Sequence, residues 1–172
     1  MLAPRRPTVI GRSRIGPLWP AVVAGVWVTD EVTKSLVAGW APDRSVHLLG
    51  PLIRIQVVRN GGGPLALWSG SGGVFTVVSV VGLVAIVAML RWVARSRVAL
   101  ALAVMAGGGL GNLTDRLIRH PGGGHGQVVD WLRVAGYPHT FNLADIALRA
   151  GAVASVLATL TRPRTTGQGV GA

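Results

Sequence analysis

The sequence predicts an all-α membrane protein: four transmembrane helices with a small extracytoplasmic β-sheet element in the first outer loop. Half of the 172 residues are hydrophobic and only 13% are charged, which is too apolar for an ordinary soluble domain. Four apolar runs reach about 20 residues, the length needed to cross a hydrocarbon core of about 30 Å. They are approximately Pro17–Trp40, Gly73–Val93, Val98–Leu117 and His139–Thr161.

The first apolar run has tryptophans at both ends. Trp19 and Trp40 are 21 residues apart, which in a helix is about 31 Å and matches the spacing of two interfacial aromatic belts. Within this run Asp30 and Lys34 lie four residues apart and share a helical face, where opposite charges can pair. We interpret them as a structural ion pair in preference to a catalytic one, because a buried charge needs a partner.

Arginines set the predicted orientation, since cytoplasmic segments carry an excess of basic residues. Nine lie before the first run, between the second and third, or after the fourth: Arg5, Arg6, Arg12, Arg14, Arg91, Arg95, Arg97, Arg162 and Arg164. The sequence therefore predicts a basic cytoplasmic N-terminal tail (1–16), a four-span membrane domain (17–161) with an outer loop at 41–72, and a cytoplasmic C-terminal tail (162–172). This pattern accounts for the net charge of +11 without nucleic acid as a partner.

The first outer loop contains a strand pattern. Ile53, Ile55 and Val57 alternate with their neighbours at a period of two, which predicts a half-buried strand. The glycine-rich segment at 60–64 ends it.

The third run ends in a polar segment. Gly107 and Gly111 form a G-x-x-x-G pair, which favours close approach of two helices. Asn112 and Arg116 share a face at the predicted outer surface, where they can bind a lipid phosphate or a peptide carbonyl. Asp115 is interpreted as neutralising a nearby arginine.

The fourth run opens with two polar residues. Asn142 and Asp145 are three apart and share a face below the predicted outer surface, and Asp130 arrives from the preceding loop. Two carboxyls in a partly dry site hold one proton between them, one member acting as base and the other as acid. Arg149 follows Asp145 by four residues and either pairs with it or faces away.

Other chemistries find little support. The chain has no cysteine, which excludes disulfides, thiolate metal sites and cysteine catalysis. Four histidines lie in outer loops without the tight spacing of zinc ligands: His47, His120, His125 and His139. No serine has a histidine and an aspartate in a recognisable arrangement. No metal site and no cofactor are predicted.

Five short motifs follow one another along residues 17–161. They are Asp30-Glu31-Val32-Thr33-Lys34, Asn60-Gly61-Gly62, Gly108-Gly109-Leu110-Gly111-Asn112-Leu113-Thr114-Asp115-Arg116, Val128-Val129-Asp130 and Phe141-Asn142-Leu143-Ala144-Asp145. In order and spacing they resemble the motifs of the lipoprotein signal peptidases, the signal peptidase II family. The resemblance implies an intramembrane aspartic endopeptidase of the bacterial cytoplasmic membrane, with its active site at the extracytoplasmic face. Its substrate would be a diacylglyceryl-modified prolipoprotein, cut just before the lipidated cysteine.

The resemblance also implies roles for single residues. Asp130 and Asp145 correspond to the catalytic dyad. Residues in substrate-binding or supporting roles are Asn60, Gly62, Asn112, Arg116 and Asn142, and Asp30, Lys34 and Asp115 are structural polar groups. Membrane lipids are the other expected partners, and the chain is expected to be a monomer. Two alternatives stay open: a small proton- or ion-coupled carrier using intramembrane carboxylates, and a non-catalytic membrane assembly factor.

Overall fold

The computed structural model describes residues 18–63, 71–93 and 96–161. The predicted tails, 1–16 and 162–172, lie outside these residues. Within them the chain forms, in order, α1 (Trp19–Ala38), β1 (Ser45–Leu48), β2 (Ile53–Asn60), α2 (Gly72–Trp92), α3 (Ser96–Ile118), β3 (Val128–Val134) and α4 (Leu143–Leu160).

Three of the described helices are long and apolar enough to cross a membrane: Gly72–Trp92, Arg97–Ile118 and Leu143–Leu160. They correspond to three of the predicted apolar runs. The helix of the fourth run begins at Leu143, four residues later than expected, because Asn142 is its N-cap and accepts a hydrogen bond from the backbone of Asp145. The first run forms α1, whose charged residues Asp30, Glu31 and Lys34 set it apart from these three.

The third helix, α3, is the centre of the bundle and packs against α1, α2 and α4. Glycines allow its close contacts. A Cβ on Gly107 would lie 2.6 Å from the Cβ of Val26 in α1, and one on Gly108 would lie 2.5 Å from the backbone oxygen of Ala144 in α4. Gly107 therefore does permit close helix approach, as the G-x-x-x-G pair predicted. In contrast, α2 exposes a valine-rich face, which suits contact with lipid.

The sheet has the antiparallel order β1-β2-β3. The strand predicted from the period of two is confirmed as β2. The sheet was expected to lie wholly in the segment between α1 and α2, but it extends beyond that segment. Its third strand comes from the segment between α3 and α4, and it pairs with β2 from Ile53↔Val134 to Asn60↔Val128 around an irregularity between Ile55 and Val58. The unpredicted strand carries Asp130.

The glycine-rich segment between α3 and β3 turns the chain back onto both neighbouring helices. Gly122, Gly123 and Gly124 all adopt positive φ angles, of 78°, 60° and 87°, which glycine tolerates without steric cost. The backbone oxygen of Gly124 accepts a 2.5 Å hydrogen bond from the hydroxyl of Thr76 in α2. This return places the segment that precedes β3 against the start of α2 and the end of α3.

Candidate active site

Two aspartates line one cavity of about 520 Å³, which lies between the sheet and helices α2, α3 and α4. Asp130 lies on β3 and is 3% exposed. Asp145 lies in the first turn of α4 and is half-buried. The pairing of β3 with β2 and the packing of α4 on α3 therefore bring together two carboxyls that are 15 residues apart in the sequence.

Asn142 contacts the carboxyl of Asp130 and the backbone of Asp145. Its side-chain oxygen accepts a 2.9 Å hydrogen bond from the backbone N–H of Asp145, which caps α4. Its side-chain nitrogen donates to Oδ1 of Asp130 at 2.7 Å. Because a backbone N–H can only donate, this contact fixes the amide orientation of Asn142 and points its N–H groups at Asp130.

Asn112 supports Asp145 in a similar way. Its oxygen accepts hydrogen bonds from Nζ of Lys34 at 3.0 Å and from Nδ2 of Asn142 at 3.1 Å. Its nitrogen donates to Oδ1 of Asp145 at 3.0 Å. The lysine ammonium has donors but no acceptor, so it determines which end of the Asn112 amide faces Asp145.

Beneath these amides lies a buried cluster of opposite charges. Nζ of Lys34 is 2.7 Å from Oδ2 of Asp30 and 2.9 Å from Oδ2 of Asp115, and all three side chains are fully buried. Asp30 also accepts from the backbone N–H of Ala144 at 2.9 Å, and Asp115 from that of Val129 at 3.0 Å. The cluster thus joins α1 and α3 to the start of α4 and to β3, the two elements that carry the cavity aspartates.

Arg119 extends this cluster toward the surface. Its guanidinium pairs with Asp115 through Nε and lies 3.4 Å from Oε2 of Glu31. The sequence predicted an arginine partner for Asp115 but did not identify it as Arg119. It also predicted no contact for Glu31. The four-residue spacing of Asp115 and Arg119 was the available signal, whereas the contact with Glu31 joins residues 88 apart.

The Asn60 motif lies on the opposite side of the cavity. Asn60 donates to Oδ2 of Asp130 at 3.2 Å, and its own oxygen accepts from the backbone N–H of Gly62 at 3.0 Å. The backbone oxygen of Gly62 accepts a 2.6 Å hydrogen bond from Nη2 of Arg116. Arg116 is 5% exposed, and within the described residues its buried Nη1 has no hydrogen-bond partner. The cavity therefore contains a buried donor that can donate a hydrogen bond to a ligand oxygen.

The environment of Asp130 favours its protonated form. Its pKa rises from the ordinary 3.8 to about 7, mainly because burial penalises the charged carboxylate and then because of the negative charge of Asp145. Hydrogen bonds from Asn60 and Asn142 and the charge of Lys34 act in the opposite direction but are outweighed. Asp130 therefore holds a proton at pH values where an ordinary aspartate has lost it.

Arg149 is not paired with Asp145. Its guanidinium carbon lies 5.7 Å from the ring centre of Tyr137 and 5.8 Å from that of Phe141, in cation–π contact. It also lines the cavity, as do Arg59 and Arg133, two arginines for which the sequence predicted no role in the site. No spacing rule links these residues to the aspartates, because three different elements supply them.

The fold and cavity define a helical membrane protein with two carboxyl groups in one buried, amide-lined site. The family model described as Signal peptidase (SPase) II matches residues 22–161. The chain belongs to this family and is a bacterial membrane peptidase.

Individual relatives agree with this assignment. The lipoprotein signal peptidase of Rhodococcus jostii (strain RHA1) is 39% identical over 141 residues, which cover 81% of this chain and 71% of the relative. That of Leifsonia xyli subsp. xyli (strain CTCB07) is 38% identical over 130 residues, covering 74% and 60%. A solved structure described as a bacterial membrane enzyme superposes with a TM-score of 0.77 at 26% identity, covering 87% of this chain and 90% of that one. None of these relatives supports the alternative of an ion-coupled carrier.

Proposed function

We propose that the chain removes the signal peptide from diacylglyceryl-modified prolipoproteins, cutting N-terminal to the lipidated cysteine, with Asp130 and Asp145 as a catalytic dyad. The observation that carries the proposal is that both carboxyls face one cavity while Asn142 contacts each of their residues. Paired carboxyls that hold a single proton can activate water against an amide.

The two aspartates take different roles in this mechanism. Asp130 carries the shared proton, as its pKa of about 7 indicates. Asp145 is assigned the role of the base, because it is the other carboxyl of the cavity and the Asn112 amide holds its Oδ1 by a hydrogen bond. The Asp145 carboxylate takes a proton from water while the oxygen attacks the scissile carbonyl carbon, and Asp130 protonates the carbonyl oxygen. Asp145 then gives the proton it took from water to the amide nitrogen as the C–N bond breaks, and Asp130 takes back a proton from a hydroxyl of the tetrahedral intermediate, so the carboxylic acid product leaves and the dyad returns to its starting state.

The cavity wall suits a lipid-bearing peptide. Val78, Leu83 and Ile86 of α2 give it an apolar side, while Asn112 and Arg116 of α3 give it a polar one. We assign the acyl chains to the apolar side and the peptide backbone to the polar side. The unpartnered Nη1 of Arg116 then donates to a substrate carbonyl, and Asn60, Gly62 and Asn142 hold this arginine and the dyad in position.

The proposed topology has α1 as a fourth span, with both termini cytoplasmic and the active site at the extracytoplasmic face. At 20 residues α1 is long enough, and its Asp30 and Lys34 are fully buried, so neither charge faces lipid.

Because the chain has no cysteine, single introduced cysteines can test the proposed topology. A membrane-impermeant maleimide should label Asp43→Cys in intact cells but Arg91→Cys only after permeabilisation. The opposite pattern would reverse the topology.

The experiment for the activity is cleavage of a synthetic diacylglyceryl prolipoprotein peptide, with the cut position determined by mass. Wild type should cut immediately before the lipidated cysteine. Asp130→Asn and Asp145→Asn should each lower kcat by about 10²- to 10⁴-fold, since each removes one partner of the proton transfer. Asp43→Asn is the matched control, because Asp43 is exposed in the turn before β1. Full activity in either dyad variant would refute the assignment.

A further inference from the structure

A row of basic side chains crosses the three-stranded sheet. His47 on β1 is directly opposite Arg54 on β2, and Arg54 is directly opposite Arg133 on β3. Directly opposite residues of an antiparallel pair have Cβ atoms about 4.5–5.5 Å apart, where like charges repel. Arg54 and Arg133 therefore repel each other, and strand pairing alone does not offset this repulsion.

Among the described residues, no carboxylate forms an ion pair with this row. All ion pairs in the described part of the chain involve Lys34 or Arg119. Nε of Arg54 donates to Nε2 of His47 at 3.0 Å, so one N–H group of Arg54 is already occupied. No other described residue forms a hydrogen bond or ion pair with the remaining N–H groups of Arg54 or with the guanidinium of Arg133, so these groups can bind an external anion.

The two arginines also line a common concavity. A cavity of about 480 Å³ is lined by Arg54, Gln56, Arg133 and Tyr137. Its other lining residues have small or apolar side chains: Pro51, Val134, Ala135 and Gly136. Gln56 and Arg133 line the active-site cavity as well. An anion bound in this second cavity would therefore lie directly beside the substrate cavity.

Neighbouring residues indicate the depth of this cavity in the membrane, given the topology of the proposed function. Tyr137, which lines it, packs edge to face on Phe141 just before α4 and lies over Arg149 in the second turn of α4. Tyrosine and arginine at the end of a spanning helix are typical of the headgroup region. At the β1–β2 turn, Leu49 and Leu52 are 75% and 57% exposed. Exposed leucines beside unpaired arginines are typical of a surface that rests on an anionic membrane.

We propose that His47, Arg54 and Arg133 form a binding site for the phosphate of an anionic phospholipid headgroup in the outer leaflet. The phosphate lies between the two guanidinium groups and offsets their repulsion, because arginine presents several N–H donors in a planar fork that matches a phosphate. The leucines of the β1–β2 turn enter the interface alongside it. The bound lipid holds the sheet on the membrane next to the catalytic cavity.

The test measures lipid binding to the purified full-length chain by native mass spectrometry, with phosphatidylglycerol and phosphatidylcholine as probes. Wild type should retain phosphatidylglycerol in preference to phosphatidylcholine. Arg54→Gln/Arg133→Gln should bind phosphatidylglycerol about twentyfold to thirtyfold more weakly, since each basic side chain near an anionic surface contributes about fivefold. Arg54→Lys/Arg133→Lys, which keeps the charge, should recover most of the affinity.

The matched control is Arg44→Gln/Arg91→Gln, which removes the same charge elsewhere, since Arg44 lies over the Trp40 ring and Arg91 ends α2. Control and test variants losing affinity equally would overturn the site in favour of general electrostatic attraction. Inorganic phosphate provides a further arm. Displacement of phosphatidylglycerol by free phosphate, together with no preference over phosphatidylcholine, would overturn the lipid assignment.

Folding and function are controlled separately. Circular dichroism and melting of each variant show whether a loss of binding reflects a loss of structure, and the lysine variant supplies a folded comparison. Lipid binding is also measured in the Asp130→Asn background, where no cleavage is expected. If Asp130→Asn abolishes cleavage but the protein does not bind phosphatidylglycerol, the lipid site is wrong. If the protein binds phosphatidylglycerol but Asp130→Asn still cleaves the peptide, the dyad is wrong.

Discussion

Replacement of Asp130 by asparagine should abolish cleavage and at the same time stabilise the folded protein at neutral and alkaline pH. The pKa of Asp130 is raised from 3.8 to about 7, so the folded state binds its proton more tightly than the unfolded state. Below about pH 4 the group is protonated in both states and costs nothing. As the pH rises from about 4 to 7, the folded state loses stability, and above 7 the loss is constant at about 4 kcal/mol.

An amide at this position carries no charge and avoids that loss, but it does not fit perfectly. Asn60 and Asn142 both aim N–H donors at Asp130, and an asparagine side chain has only one acceptor oxygen for the two of them. The mismatch costs about 1 kcal/mol. The net gain of Asp130→Asn is therefore about 3 kcal/mol at pH 8, and it becomes a small loss near pH 4.

Thermal unfolding in detergent measures this difference. On the scale of globular proteins of similar length, a gain of about 3 kcal/mol raises Tm by about 6–12 °C. The wild type and Asp43→Asn, which changes an exposed carboxyl, should share one pH profile. A difference between Asp130→Asn and wild type that stays the same at pH 4 and pH 8 would show that burial does not disfavour the charge of Asp130.

Three further outcomes are expected. The kcat/KM for lipopeptide cleavage should fall as the pH rises through about 7, where Asp130 of the free enzyme loses its proton; a flat alkaline limb in the profile of kcat/KM against pH would contradict this. Asp30→Asn should lower the free energy of unfolding by about 3 kcal/mol because it breaks the buried pair with Lys34, while folded molecules keep their turnover; wild-type melting with lost turnover would make Asp30 catalytic. Gly111→Ala should destabilise the protein by about 1–3 kcal/mol because its Cβ would overlap the Asp30 carboxyl. Gly25→Ala, with nothing within 4 Å, should instead be neutral or stabilising in the same denaturation assay, and equal effects would exclude crowding as the cause.

Local patterns were enough to predict several elements of this fold. Long apolar runs predicted α2, α3 and α4, and the alternation of Ile53, Ile55 and Val57 predicted β2. β3 was missed because its first three residues, Val128, Val129 and Asp130, are all buried. A strand buried on both faces lacks the alternation that marks a half-buried one.

The start of α4 was misplaced although the sequence contained a signal. An asparagine followed three residues later by an acidic residue is typical of a helix N-terminus, and Asn142 and Asp145 have that spacing. Because Asn142 and Asp145 were assigned to the same helical face, Asn142 was wrongly predicted to lie inside the helix. As the N-cap, it instead contacts Asp130 with one end of its amide and the Asp145 backbone with the other.

Contacts between elements could not be derived from spacing. The bond from Lys34 to Asn112 joins residues 78 apart, and it exists only because α1 packs on α3 at Gly107. Sequence spacing also left open a pair between Arg149 and Asp145. The aromatic rings of Tyr137 and Phe141 hold the guanidinium instead, and their position depends on the turn that precedes α4.

The most direct test of a proton shared by Asp130 and Asp145 is a carbon-13 NMR titration of the Asp130 carboxyl in wild type and in Asp145→Asn. A wild-type midpoint close to pH 7 is expected from burial and from the charge of Asp145. Removing that charge should move the midpoint down, though not to 3.8, because burial remains the larger cause. A midpoint near pH 4 in both proteins, or a midpoint that is the same with and without the Asp145 substitution, would contradict the proposal that the two carboxyls share a proton.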